Sequence, residues 1–391
     1  MLKNGIRWIL GLMIALAAGL TAMGSIAKNT APQLAVALQP LNGFAFETRA
    51  SDSLKAAVAA NGGQFPNSSD PVAINFAKQA FLSEPITPEA IAVLALGNTE
   101  GKKSKLMHKA FMLSRRQQLV TGWMIADHGV QQDISGILGY YDIMLRTSSA
   151  SISVVIPVMA DALSNGTIEP FAELLSNAPP WASQFWATVA ADPEAIANGA
   201  SLRTLVYRKD EDSDTYRDAD LISALIDNQH FGTAEKLYDL LSRRPPDTDL
   251  LRNSSFAHAP LFPPLDWQLF STGEYGSAII KGKLRLSAIQ NSGGLFARQL
   301  IDIPAAILEI RTITTDTIPN DVDLTISLTC AEQGHKAAVS VKIPLKEKST
   351  LRQISNRGTG CRYYWLDLSG RAAESGDGFD VGLDSVSLRL K

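Results

Sequence analysis

Two cysteines, Cys330 and Cys361, are all that 391 residues contain. That number is too small for a structural zinc site, which asks for four ligands from Cys and His. The five histidines, at 108, 128, 230, 258 and 335, are scattered, and no two lie four apart as a helical metal pair would. Positive charge is not in excess: 36 Lys and Arg face 39 Asp and Glu, for a net charge of −3. A nucleic-acid partner needs a basic footprint, so that class is excluded. The G-x-S-x-G turn that exposes a hydrolase serine is missing, although His258 lies near Asp266. The stretch ALGNTEGKKS (95–104) imitates a phosphate loop but fails its spacing. Three residues separate Gly97 from Gly101 where four are needed to wrap phosphates, and Lys103 intrudes between Lys102 and Ser104. No cofactor is expected, and the chain reads as a protein that is not an enzyme, with an enzyme of unrecognised type as the remaining alternative.

What is present is apolar and patterned. Apolar residues make up 46% and charged residues 19%, a globular composition with length for two domains and more. Trp8 to Ala27 carries no charge and follows Lys3 and Arg7. At about 1.5 Å per residue this run spans about 30 Å, enough for a bilayer, with a cytoplasmic positive flank. SIA (25–27) also suits a cleavage site. Three readings stay open: an inner-membrane anchor with periplasmic domains, a protein secreted to the periplasm after signal cleavage, or a buried core helix. The cysteines suit an exported chain. Each ends a strand-like run, and one disulfide between them would close a loop of about 30 residues, worth about 3–4 kcal/mol. Two buried free thiols are the alternative.

The pattern changes near residue 250, at the proline-rich seam LRNSSFAHAPLFPPLDW (251–267). Before it the periodicity is helical; after it short alternating runs follow one another. The expected division is a signal or anchor over 1–29, a linker over 30–50, helices over 51–250 and a β-sandwich over 256–391. About eight or nine strands are expected, among them YGSAII, LRLSAI, LFARQLIDI, AILEIRTI, DLTISLT, RYYWLDL and SVSLRL. YRKDEDSDTYRDAD (207–220) reads as an exposed loop.

The helices repeat. AKQAFLSEP (77–85), HKAFMLSRR (108–116) and YDIMLRTSS (141–149) align so that Ala80, Ala110 and Met144 share a seam, with steps of 30 and 34 residues. Such a period marks stacked helical hairpins. With GWMIADHGVQQDISGILGYYDIMLRTSS (122–149), EPITPEAIAVLALG (84–97) and ISALIDNQHFGTAEKLYDLLSRRPP (222–246), the region resembles the tetratricopeptide repeat family. The turns lack that family's glycine-aspartate pair, and 150–220 fits its pattern poorly. The resemblance implies that Trp123, Tyr140 and Tyr141 pack repeats together, along with Ala80, Ala110 and Met144. It also implies a groove for a protein partner.

WQL…LRLSAI…GGLFARQLIDIP…AILEIRT, within 262–391, resembles galactose-binding-like and carbohydrate-binding-module sandwiches of jelly-roll type. This implies glycan contact through aromatics. Tyr364, Trp365 and Trp267 are the candidates singled out, with Tyr275, Phe296, Tyr363 and Phe379 also aromatic; core packing is the competing role for all of them. In RYYWLD the strand period puts Tyr363 and Trp365 on one face and Tyr364 on the other. Trp181 and Trp186 read as core. Glu374, Asp377, Asp380 and Asp384 offer oxygens to Ca²⁺ or form an acidic surface turn. The whole arrangement resembles uncharacterised proteobacterial envelope proteins, some associated with exopolysaccharide production. It implies a scaffold or adaptor held to the membrane by its N-terminal helix, with envelope or polysaccharide-assembly proteins as partners, or a glycan-binding protein acting through its sandwich on a polysaccharide.

Overall fold

The computed structural model describes residues 2–97, 102–208, 216–243, 249–333, 341–356, 360–374 and 377–391. The middle of the phosphate-loop imitation (98–101), half of the 207–220 loop (209–215) and His335 lie outside the described residues. The chain forms two compact units. One comprises Met1–Ile156 with Pro179–Trp181, and the other Pro157–Ala178 with Ala182–Lys391.

The first unit is helical. In order, α1 is Leu2–Thr30, α2 Pro32–Leu38, α3 Gly43–Ala60, α4 Pro71–Ser83, α5 Pro88–Leu96, α6 Lys103–Leu113, α7 Gln118–Val130 and α8 Ile134–Thr147. The span 30–50, expected as a linker, therefore carries a short helix and the start of a long one. One face of it is buried: Ala35 and Ala45 pack with Ala27 of α1, and Phe46 and Ala50 join the main core. Small residues in Ala-rich helices leave room for backbones to approach closely.

One helix-ending geometry recurs. α2, α4, α6 and α8 end at Gln39, Glu84, Ser114 and Ser148, all extended, with ψ of 86°, 97°, 113° and 111°. The cap N–H groups donate to the carbonyls of Ala35 (2.9 Å), Ala80 (2.8 Å), Ala110 (3.3 Å) and Met144 (2.9 Å). The next helix begins four residues past each cap, at Gly43, Pro88, Gln118 and, for α9 (Ile152–Ser164), Ile152. An extended cap turns the chain sharply without the left-handed glycine that ends many helices. The aligned seam of Ala80, Ala110 and Met144 is thus a shared position in a corner, and Ala35 is a fourth instance. The three alanines are fully buried and Met144 is half-buried. The adjoining Phe111 and Leu145 are buried, but Phe81, expected to match them, is 41% exposed.

The second unit begins within α9, which contains Pro157. It adds α10 (Glu169–Leu175), α11 (Ala182–Ala191), α12 (Ile196–Leu205), α13 (Asp218–Asp227) and α14 (Phe231–Ser242). Trp186 is fully buried here, between Phe185 and Tyr216; Trp181 is buried in the first unit and donates its indole N–H to Asp142 at 2.9 Å. Arg203 of α12 and Asp218, in the first turn of α13, form a buried bidentate pair at 2.7 and 3.1 Å.

Two antiparallel five-stranded sheets follow in the same unit. The strands are β1 (Gln268–Leu269), β2 (Tyr275–Ile280), β3 (Lys283–Ala288), β4 (Gly293–Asp302), β5 (Ile307–Thr314), β6 (Asp323–Cys330), β7 (Val341–Pro344), β8 (Ser349–Ser355), β9 (Tyr363–Arg371) and β10 (Phe379–Leu390). Their orders are β1-β4-β9-β6-β7 and β2-β3-β10-β5-β8. Alternation sends Leu324, Ile326 and Leu328 of β6 and Leu284 and Leu286 of β3 into one core with Phe296, Leu366 and Leu383. The strand absent from the expected set is β8, an edge strand with only Thr350 and Ile354 buried. Cys330 and Cys361 form the disulfide. It closes the excursion from β6 through β7 and β8 to β9.

The boundary drawn at 250–256 falls inside this unit. α14 lies on the outer face of the first sheet: Phe231 meets Tyr363 at 4.9 Å between ring centres, and Tyr238 donates to Asp266 at 3.1 Å. Leu251 and Phe256, within the expected seam, belong to the sandwich core.

Candidate functional site

The helical unit holds a groove of about 760 Å³. Trp123 of α7 and Leu119 form its floor, and Val58, Phe65, Ile125 and Val130 its apolar walls. The turn after α3 places Phe65: Gly62 and Gly63 adopt φ of +64° and +89°, values that β-branched or bulky residues resist. Phe65 then packs, half-buried, against the core that Trp123 and Met124 complete. The rim is mixed in charge. Lys55 pairs with Glu89 at 3.3 Å, Lys103 donates to the Asn67 carbonyl at 3.2 Å, and Asp127 lines the same groove. Val130 is 87% exposed. An apolar floor with a rim of both signs suits an amphipathic protein segment. The groove residues are spread over four elements, so among the sequence candidates only Trp123 pointed here.

The repeat-packing residues gather beside it. Tyr140 sits edge-on to Phe111 at 5.1 Å and lies against His128. Tyr140 and Tyr141 are half-buried, and loss of water raises the pKa of both hydroxyls. His128 also meets Asp133 at 2.7 Å; the backbone N–H of Gly136, then His128, hold that carboxyl below its ordinary pKa. His128 therefore braces the α7–α8 turn.

The glycan candidates divide. Trp267 is fully buried beside Phe256, and Tyr364 lies in the core beside Asn356. Neither has a ring face for a sugar, which corrects their candidacy: alternation and the position ahead of β1 turn both inward. Tyr363 is also buried, beneath α14. Its hydroxyl donates to Glu235 at 3.2 Å, and burial, with Glu235 nearby, pushes its pKa up to about 12. Trp365 alone of the three stays half-buried on the outer face. Arg298 stacks over its ring at 4.8 Å and grips Asp367 at 2.6 and 2.9 Å. The register extends this into one row across the sheet: Gln268, Arg298, Asp367, Ser327 and Lys342. That polar row escaped the sequence because it depends on register between distant strands.

The remaining candidates are not brought together. Asp380 pairs with Arg285 and Asp384 with Lys283, so these acids hold ion pairs across the second sheet. Among the described residues, the group of metal-ligating atoms lying within 4.8 Å of one another is Cys330, Glu332 and Cys361, whose two sulfurs are bonded to each other. His258 is exposed, and Asp266 accepts the backbone N–H groups of Leu261 (2.8 Å) and Phe262 (3.1 Å), a turn-closing role. A cleft of about 770 Å³ between α14 and the sandwich carries Glu235, Asp302, Arg252 and Arg362, paired as Glu235–Arg252 and Asp302–Arg362.

The fold is thus a helical array followed by a two-sheet antiparallel sandwich, with an apolar N-terminal helix, Trp8–Thr30, of membrane-spanning length and composition. That helix has the character of a signal or anchor, and the disulfide is the mark of an oxidising compartment. No protein-family model and no curated protein matches the chain. Two solved carbohydrate-binding modules are similar to the C-terminal β region. One, described as TmCBM61 in complex with beta-1,4-galactotriose, is 14% identical over 37% of this chain and 100% of its own, with a TM-score of 0.26. The other, described under CBM4 structure and function, is 10% identical over 36% of this chain and 99% of its own, also with a TM-score of 0.26.

Proposed function

We propose that this chain is a non-catalytic envelope adaptor, held in the inner membrane by α1 and binding a protein segment in the groove of tetratricopeptide-like helical repeats. The observation that carries this reading is the Trp123–Phe65 groove, apolar within and charged at its rim. Retention of α1 is supported by its last turns: Ala27 is buried with Ala35 and Ala45, and the Gly24 carbonyl accepts from Asn42 at 3.4 Å. Cleavage at 25–27 would remove part of that packing. The test is a photo-crosslinking amino acid placed at Phe65 or Val130 of the full chain in cells. A discrete adduct from both, absent with the crosslinker at exposed Lys78, is the expected result. Equal labelling at all three positions, or none, sinks the reading.

A second reading, glycan recognition by the sandwich, rests on Trp365 and the row running through Arg298 and Asp367. The full chain is the reagent, because the fragment 256–391 would lose α14 and bare Tyr363. Binding to a polysaccharide panel that drops about tenfold in Trp365→Ala supports it, the order expected for one stacking contact. Binding that ignores Trp365→Ala and Arg298→Ala counts against it.

A further inference from the structure

α1 enters its unit without a linker. From Lys3 to Gly24 the helix climbs about 30 Å, one bilayer thickness, at about 1.5 Å per residue. Gly24 is already in contact with Asn42, and Lys28 lies over the Phe44 ring at 4.9 Å. A crevice lined by Thr21, Ser25, Gln39, Leu41 and Glu84 brings the first two helix corners to the level where α1 leaves the bilayer.

Those corners carry apolar tips. Leu41 and Ile86 hold the same position, two residues past the caps Gln39 and Glu84, and are 82% and 63% exposed. Leu82, just before the second cap, is 82% exposed. In the third corner the equivalent position is Arg116, beside Arg115, both exposed. Isolated exposed leucines are ordinary, but apolar tips at the exit of a spanning helix, with Lys28 in the same crevice and an arginine pair at the next corner, match the acyl boundary and the headgroups of an anionic leaflet.

We propose that these helix corners form a foot, Leu41 and Ile86 at its tips with Lys28 beside them and Arg115 and Arg116 at the third corner, that seats the helical unit on an anionic lipid surface. The proposal rests on α1 being a retained anchor. It fixes the orientation of the groove: Val58 and Val130 line it at the far end of α3 from Gly43, about 22 Å away at helical rise.

Because the chain has no free cysteine among its described residues, a single introduced thiol takes a polarity-sensitive dye selectively. The full chain is reconstituted in phosphatidylethanolamine–phosphatidylglycerol vesicles with the dye at Trp8→Cys, Leu41→Cys, Ile86→Cys or Val130→Cys, and lipid-borne nitroxides as quenchers. Expected are blue-shifted emission and loss of intensity at 41 and 86 with interfacial nitroxide, quenching at 8 with deep nitroxide, and neither at 130. Quenching at 8 with water-like emission at 41 and 86 overturns the foot and leaves the anchor standing. No quenching at 8 overturns the anchor and the foot with it. All four sites are exposed, so the variants retain the core.

Discussion

Glu47 makes the stability of the helical unit depend on pH. Its carboxyl, 9% exposed on α3, accepts the Glu89 N–H at 2.8 Å and so caps α5 from a neighbouring helix. Thr87, at the N-cap, makes no capping bond and instead donates its hydroxyl to the Glu84 carbonyl. Burial raises the Glu47 pKa from 4.5 to about 7, outweighing the backbone hydrogen bonds that lower it. The folded state therefore holds this proton more tightly than the unfolded chain. Its contribution is full below pH about 4.5, declines as pH rises to about 7, and is flat above. At about 1.4 kcal/mol per pKa unit the loss is about 3 kcal/mol. Glu47→Gln keeps an acceptor for the Glu89 N–H and cannot ionise. The variant should match the wild type at pH 4.5 and exceed it by up to about 3 kcal/mol at pH 8. Hydrogen exchange of peptides from α3 and α5, in the full chain in nanodiscs, reads this locally. A pH dependence that persists unchanged in Glu47→Gln, or wild-type protection that grows from pH 5 to pH 8 and vanishes in the variant, refutes the reasoning.

Other outcomes follow from single contacts. Replacing Cys330 and Cys361 with serine should cost about 3–4 kcal/mol, confined to the sandwich unit, since the closed loop holds about 30 residues; chemical denaturation followed by exchange in β6 and β9 measures it. Arg203→Met strands Asp218 without its buried partner and should cost about 3–5 kcal/mol, whereas replacing both residues with apolar ones should recover much of that. Ala110→Leu forces extra volume into a fully buried corner and should cost about 1–3 kcal/mol, against less than about 0.5 kcal/mol for Met112→Leu, which is 61% exposed; thermal melts of the two variants compare them.

The strands were legible wherever alternation was strong: DLTISLT and YGSAII are β6 and β2 nearly residue for residue. β8 was not, because an edge strand with two buried residues leaves almost no period to read. The helical seam was legible as alanine in a repeated frame, and its meaning is a corner: the residue whose carbonyl takes the last helical bond. Ala35 escaped because α2 is only seven residues long, too short to show a helical period, and a proline one residue past its extended cap turns the chain into a tight corner. The groove was hidden more deeply. Val58, Phe65 and Val130 are separated by loops, and only the arrangement of α3, α5 and α7 around one groove makes them neighbours. The aromatic candidates show the limit of residue type: Tyr363, Tyr364 and Trp365 are adjacent, and packing by α14 on one face and the core on the other gives three different environments.

The adaptor role is tested most directly by spoiling the groove while keeping the rest. Gln64→Asp with Ala126→Asp puts two charges on exposed positions of the groove's lining, so the core and the membrane fraction should be retained. The expected result is that the adduct formed from a crosslinker at Val130 disappears while secondary structure and membrane association match the wild type. An adduct of undiminished yield in that double variant would contradict the account.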